Sequence, residues 1–170
     1  MVSALYYTEW ESPIGTITLF GDQENLYGLE LGRFDEKKEK VKTRCQKHQL
    51  PDVFQHSTAV FEESVEQLNQ YFSGNRERFA LSFQLFGTTF QQKVWQVLQD
   101  IPFGETWSYK DVAEKINSPK AVRAVGGAVN KNPISIIVPC HRVIGHNGKL
   151  VGFGGGLDKK SYLLHLEKGE

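Results

Sequence analysis

The sequence predicts an α+β protein in two parts, an N-terminal antiparallel sheet with helices over residues 1–86 and a mainly helical part with a helix-turn-helix unit over residues 87–170. Three observations carry this. The first thirty residues hold short runs rich in Tyr, Thr, Ile, Leu and Phe. Apolar residues at helical spacing follow from Thr58. Beyond residue 87 the pattern becomes one of short helices separated by Pro, Gly and Asn.

Taken in order, Ala4–Trp10, Gly15–Gly21 and Leu26–Leu31 read as strands of an antiparallel meander, separated by Ser12-Pro13 and Gly21-Asp22. Asp35–Gln49 reads as a charged helix. Thr58–Phe72 carries Val60, Phe61, Val65, Leu68, Tyr71 and Phe72 on one face, so it is expected to lie on the sheet and stop at Ser73-Gly74. Residues 75–87 form a connector. Thr88 or Thr89 caps a helix from Phe90 to Gln99, a second short helix starts at Ser108, and after Asn117-Ser118-Pro119 a third runs from Lys120 to Val129. Two short helices across so tight a turn are laid out as a helix-turn-helix. Ile134–Val138 reads as an apolar strand.

The chain has 170 residues, 39% of them hydrophobic, and two cysteines, a length that suits one large domain or two small ones. A chain of this size buries roughly two-thirds of its unfolded surface, so no metal or disulfide staple is needed. Two cysteines exclude a disulfide framework and fit reduced thiols in the cytoplasm. The apolar stretch at Ile134–Val138 is too short to cross a bilayer, and Met1–Trp10 lacks the basic start and apolar core of a leader. No membrane association is expected.

Net charge is zero, yet residues 1–86 hold 9 basic and 13 acidic side chains whereas residues 87–170 hold 11 basic and 7 acidic ones. From Lys115 to Gly156 there is no acid, only Lys115, Lys120, Arg123, Lys131, Arg142 and Lys149. Such a stretch is either a face for a polyanion or a basic loop surface without a partner. Within it the third helix is rich in Ala121, Ala124, Gly126, Gly127 and Ala128. Glycine in mid-helix costs about 1 kcal/mol against alanine, so Gly126 and Gly127 point to close approach, by a neighbouring element or by a nucleic-acid backbone.

Pro139-Cys140-His141-Arg142-Val143 follows the apolar run. A thiol entering a loop with histidine beside it is a candidate nucleophile, although cysteine is also common as a small buried hydrophobe. Only a few per cent of an ordinary thiol is ionised at neutral pH, so reactivity needs a base or a positive field, which His141 and Arg142 could supply. In extended backbone these neighbours point to opposite sides, and a water would carry the proton between Cys140 and His141.

Pro139-Cys140-His141-Arg142-Val143-Ile144 resembles the active-site signature of the O6-alkylguanine-DNA alkyltransferases. Arg123-Ala124-Val125-Gly126-Gly127-Ala128, Asn132-Pro133, Gly152-Phe153-Gly154-Gly155-Gly156-Leu157 and Leu163, Leu164 and Glu167 extend the match in order and spacing through residues 87–170. The resemblance implies direct-reversal repair, with an alkyl group passing from guanine O6, and also from O4-alkylthymine, to Cys140 once per molecule. It implies a ribonuclease-H-like N-terminal domain and a winged-helix-like C-terminal domain bearing the active-site loop.

By the same resemblance His141 is the water-mediated base, Glu167 the carboxylate that orients it, Tyr109 the phenol that helps rotate the nucleotide and protonates the leaving purine, and Asn132 the brace between recognition helix and active-site loop. Arg123 fills the gap left by the flipped base. Lys120, Lys131 and Arg142, with Tyr109, Ala124, Gly126 and Gly127, are expected at the DNA, entered through the minor groove with little sequence preference. Val143, Phe153, Gly154 and Gly155 are expected to wall the alkyl pocket, where relatives often carry Tyr and Ser at the positions of Phe153 and Gly154.

The reaction requires no cofactor, and a monomer acting on double-stranded DNA is expected. No metal site is expected either: Cys45 and His48 stand alone and read as surface or core residues. Trp95, Trp107, Phe90 and Phe103 read as core, while His146 reads as part of a solvated turn. Competing readings are a lesion-binding protein without chemistry, which would lack the cysteine, and a helix-turn-helix regulator, which would want more base-reading side chains than Arg123. A Cys-His hydrolase would turn over and would need an oxyanion site.

Overall fold

Strands β1 (Leu5–Ser12), β2 (Gly15–Gly21) and β3 (Leu26–Leu31) form the expected meander. In the β1–β2 turn Gly15 takes a φ of 103°, and the Ser12 hydroxyl donates to its carbonyl at 2.7 Å. A fourth strand, β4 (Phe54–His56), was not visible in the sequence. It lies parallel to β1, giving the order β3-β2-β1-β4, so the sheet is mixed and not wholly antiparallel. Three residues with exposed Gln55 and His56 are too few and too polar to leave a period-two pattern.

Helix α1 (Phe34–Lys47) crosses from β3 to β4 and covers one face of the sheet, with Val41 and Cys45 packing on Leu5 and Phe20. Tyr7 and Phe34 stack at 3.6 Å between ring centroids. Helix α2 (Glu62–Phe72) covers the other face, bringing Phe72 to 5.9 Å from Trp10; residues 59–61, expected to belong to it, form a 3-10 turn instead. Covered on both sides, β2 is buried from Ile17 to Gly21. Cys45 is thus a core residue, while His48 packs against Phe86.

The computed structural model describes residues 4–170, in which the chain up to Phe86 forms one compact unit and Gly87–Glu170 another. Met1, Val2 and Ser3, the start of the stretch read for a leader, lie outside the described residues. Among the described residues no helix is long and apolar enough to cross a membrane.

The second unit begins with α3 (Thr89–Leu98), whose Thr88 cap accepts from Gln91 N–H while the Gln91 side chain accepts from Thr88 N–H. Ser108 and Asp111 cap α4 (Tyr109–Lys115) the same way. Helix α5 (Val122–Asn130) follows the turn, in which Asn117 has a φ of 60°. Trp95 is buried and its indole N–H donates to Ala128 O at 2.8 Å, tying α3 to α5. Trp107, Phe90 and Phe103, expected in the core, are only half-buried.

Ile134–Val138 is not a strand. Ile137 N–H donates to Ser135 O at 2.8 Å around Ile136, whose φ of 73° is the rare left-handed form of a γ-turn. A second γ-turn, centred on Pro139, is closed by Cys140 N–H to Val138 O at 2.8 Å. Two such turns in six residues cannot be read from apolar character, which a strand and a buried loop share. After a 3-10 turn (Cys140–Arg142), β6 (Val143–Ile144) pairs in parallel with β5 (Trp107–Ser108), anchoring the loop to the start of α4. Helix α6 (Leu157–Glu167) closes the unit.

Candidate active site

Asn132, directly after α5, builds the floor of the site. Its Nδ2 donates to Val138 O at 2.7 Å and its Oδ1 accepts from Ile134 N–H at 3.0 Å, so one buried amide clamps both ends of the double-turned loop. That loop delivers Cys140, which is 5% exposed. Burial pushes the thiol up, and hydrogen bonds from the Asn132 and Ser135 side chains, with the charge of Lys160, oppose the rise.

His141 does not lie on extended backbone. On the 3-10 turn successive side chains diverge by about 120°, and its ring points into α6. There Nε2 lies 2.5 Å from Glu167 Oε2, while buried Nδ1 has no hydrogen-bond partner. Since Glu167 remains a carboxylate, Nε2 is the donor. Burial alone would raise the Glu167 carboxyl, but donation from His141 and Arg142 outweighs it and brings the pKa to about 2.

Arg142 corrects an expectation. It does not face outward towards a phosphate; it is buried, with Nε 2.7 Å from Glu167 Oε1, Nη2 3.1 Å from Oε2, and Nη1 donating to Ile101 O at 2.7 Å. A hydrophobic 3-10 turn against α6 leaves it nowhere else to reach, and the carboxylate compensates its desolvation.

Lys160 is a site residue that sequence reasoning missed. It is fully buried, and Nζ donates to Val143 O at 2.5 Å and Val151 O at 2.9 Å. Burial lowers its pKa to about 8, against the pull of Cys140. A signal existed: Lys160, Leu163, Leu164 and Glu167 fall at i, i+3, i+4 and i+7 on one helix face, and two charged residues on an otherwise apolar stripe imply buried partners.

Tyr109, half-buried at the start of α4, donates to Val151 O at 3.0 Å. Its pKa is raised by burial and by the nearby thiol, so the phenol stays protonated. Gly152 is held between Tyr109 and Asn130: its φ is 58°, and an added Cβ would come within 3.1 Å of Asn130 Oδ1. Val143 is buried at the loop's base, Phe153 and Gly155 are partly covered, and Gly154 is exposed.

On α5 and its flanks Lys120, Arg123, Ala124, Gly127 and Lys131 are exposed. A Cβ at Gly126 would make ordinary contact with the Tyr109 ring at 3.9 Å, and one at Gly127 would meet nothing within 4 Å. Neither glycine is therefore demanded by packing inside the protein. His146 is exposed in its turn.

A thiol seated on a braced loop, with a carboxylate-oriented imidazole beside it and a glycine-bearing basic helix on the same unit, defines a nucleophilic-cysteine protein with a nucleic-acid-facing helix. Comparison with known proteins makes this specific. Residues 5–85 match the model of the 6-O-methylguanine DNA methyltransferase ribonuclease-like domain, and residues 89–169 match that of the 6-O-methylguanine DNA methyltransferase DNA binding domain. A "Methylated-DNA--protein-cysteine methyltransferase" of Methanosarcina acetivorans is 47% identical over 163 residues, covering 96% of this chain and 98% of that one. One of Mycobacterium tuberculosis is 46% identical over 164 residues, covering 96% and 93%.

Among solved structures, M. tuberculosis O6-methylguanine methyltransferase superposes with a TM-score of 0.84 at 44% identity, covering 97% of this chain and 93% of that one. The M. tuberculosis protein in complex with DNA gives 0.82 at 42% identity, covering 96% and 93%. The chain belongs to the 6-O-methylguanine DNA methyltransferase family.

Proposed function

We propose that this chain performs its family's reaction, DNA repair by transfer of an alkyl group to a protein cysteine, with Cys140 as the acceptor and O6-alkylguanine or O4-alkylthymine in double-stranded DNA as the substrate. The observation that carries the assignment is the pairing of a braced thiol with an imidazole whose Nε2 is fixed on Glu167 and whose Nδ1 is unclaimed. The first unit supports the second, which binds DNA and reacts.

The thiol proton passes through a water to His141 Nδ1, and Glu167 stabilises the imidazolium that forms. The sulfur attacks the alkyl carbon in line. The S–C bond forms as the C–O6 bond breaks, the electron pair passes into the purine, and Tyr109 supplies the proton that the leaving base takes up. The thioether has no good leaving group, so each molecule acts once. No cofactor enters this balance.

Guanine O6 is paired inside the duplex, so the nucleotide must swing out, at a cost of a few kcal/mol. Arg123, exposed on α5, fills the gap. Ala124, Gly126 and Gly127 let the helix press into the minor groove, with Lys120 and Lys131 on phosphates, which makes binding salt-dependent and nearly indifferent to sequence. Val143, Phe153, Gly154 and Gly155 wall the alkyl group. The protein works as a monomer in the cytoplasm.

The test is to incubate the protein with duplex DNA holding O6-methylguanine and map the modified residue by mass spectrometry. A single methyl gain on Cys140, at no more than one equivalent per chain and absent in Cys140→Ser, is expected. A methyl elsewhere, or many turnovers per chain, overturns the assignment.

A further inference from the structure

Glu167 serves two donors at once. His141 Nε2 and Arg142 Nη2 both meet Oε2, and Arg142 Nε holds Oε1, all with side chains at most 9% exposed. A carboxylate shared only with an imidazole in so apolar a place would favour the charged pair, and the ring would carry two protons. Its Nδ1 would then be a donor and useless as a base. A guanidinium keeps its charge at any working pH and grips a carboxylate with two parallel hydrogen bonds. It answers the Glu167 charge before the imidazole has to.

We propose that Arg142 is a positioning residue for the reaction: by holding Glu167 bidentately it keeps His141 neutral, with the proton on Nε2 and the lone pair on Nδ1, ready to receive the Cys140 proton. This rests on the reading of Cys140 as acceptor and His141 as its base. It gives Arg142 a task that its burial permits and that contact with a phosphate does not.

The charged groups acting on the ring are Glu167 and Lys160, both on α6, and Arg142 on its own turn. Helix α3 also packs on this turn, and its buried side chains, Val94, Trp95 and Leu98, bring no charge. Burial lowers the His141 pKa, the Glu167 hydrogen bond and charge raise it, and Arg142 and Lys160 lower it again. Arg142 also donates to Ile101 O, so it clamps α6 to the chain after α3; a clamp alone would not select a protonation state.

The two roles separate in the pH dependence of alkyl transfer. In the wild type the acid limb of the rate of Cys140 alkylation falls with a midpoint below the ordinary histidine value of about 6.5. In Arg142→Gln the midpoint rises by about one pH unit or more. The variant then reacts roughly tenfold more slowly than wild type at pH 6 yet approaches it at pH 8.5, since one unit is a factor of ten in the neutral fraction.

Arg142→Lys keeps the charge with a poorer grip and gives an intermediate midpoint. A loss by the same factor at every pH, or an unmoved midpoint, overturns the proposal and leaves Arg142 a clamp. Should Arg142→Gln fail to fold, Arg142→Lys with no shift overturns it equally. Nitrogen NMR of labelled histidine in the wild type needs no lesion: His141 must be neutral and protonated on Nε2 at pH 7, and an imidazolium there refutes the idea. Failure of wild type to accept any alkyl group refutes instead the acceptor role of Cys140, so the two failures are distinguishable.

Discussion

Tyr109 and Lys160 donate to the same atom: the phenol lies 3.0 Å and the ammonium 2.9 Å from the carbonyl oxygen of Val151. Lys160 alone can satisfy that oxygen, so Tyr109 can turn to a base without stranding a buried acceptor. Tyr109→Phe should therefore cost little stability while slowing transfer by about two orders of magnitude or more, the usual contribution of a general acid. Single-turnover kinetics with chemical denaturation on the same variant checks both halves.

Arg123→Ala should slow repair of duplex DNA more than reaction with free O6-alkylguanine, because only the duplex has a gap to fill. The side chain is exposed, so stability should be nearly unchanged. Comparing the two substrates under single-turnover conditions is decisive, and equal slowing would exclude the gap-filling role.

Gly127→Ala distinguishes packing from docking. A Cβ there meets nothing in the protein, so the helix should gain up to about 1 kcal/mol. If α5 presses on DNA, affinity for duplex falls at the same time. Denaturant melting and a fluorescence-anisotropy titration should thus move in opposite directions.

Asn132→Ala removes both clamps on the loop that carries Cys140, leaving Val138 O and Ile134 N–H buried without partners. Each such group costs about 1–3 kcal/mol. We expect a loss of about 2–5 kcal/mol in denaturant unfolding, together with a slower reaction of Cys140 with lesion-bearing DNA.

Glu167 makes stability acid-sensitive in a defined window. Its folded pKa of about 2 lies below the ordinary 4.5, so the stabilisation is fully present above pH 4.5 and is lost as pH falls towards 2. Glu167→Gln should be less stable than wild type at pH 7 by about 3–5 kcal/mol, since it strands the Arg142 charge. Its decline between pH 4.5 and 2 should be shallower than that of wild type, which denaturation at several pH values measures.

Much of this was legible in the residues. Alternation in β1 to β3, the 3.6-residue stripe of α2 and the caps at Thr88 and Ser108 are local codes, read over spans shorter than a single element. Pro139–Ile144 and its flanking motifs carried the resemblance to the alkyltransferases. The charge asymmetry and the two glycines of α5 drew attention to the helix whose side chains prove exposed.

The sequence by itself determined which residue types were present for chemistry and most of the elements that hold them. Only the tertiary structure decided that Arg142 turns inward to Glu167, that Lys160 is buried under Val143 and Val151, that Ile134–Val138 folds into two γ-turns, and that β4 adds in parallel to β1. The physical reason is range. Arg142 meets a partner 25 residues away and Lys160 one 17 residues away. Whether a charge faces water or a buried carboxylate depends on what the rest of the chain places opposite it, and no local period records that.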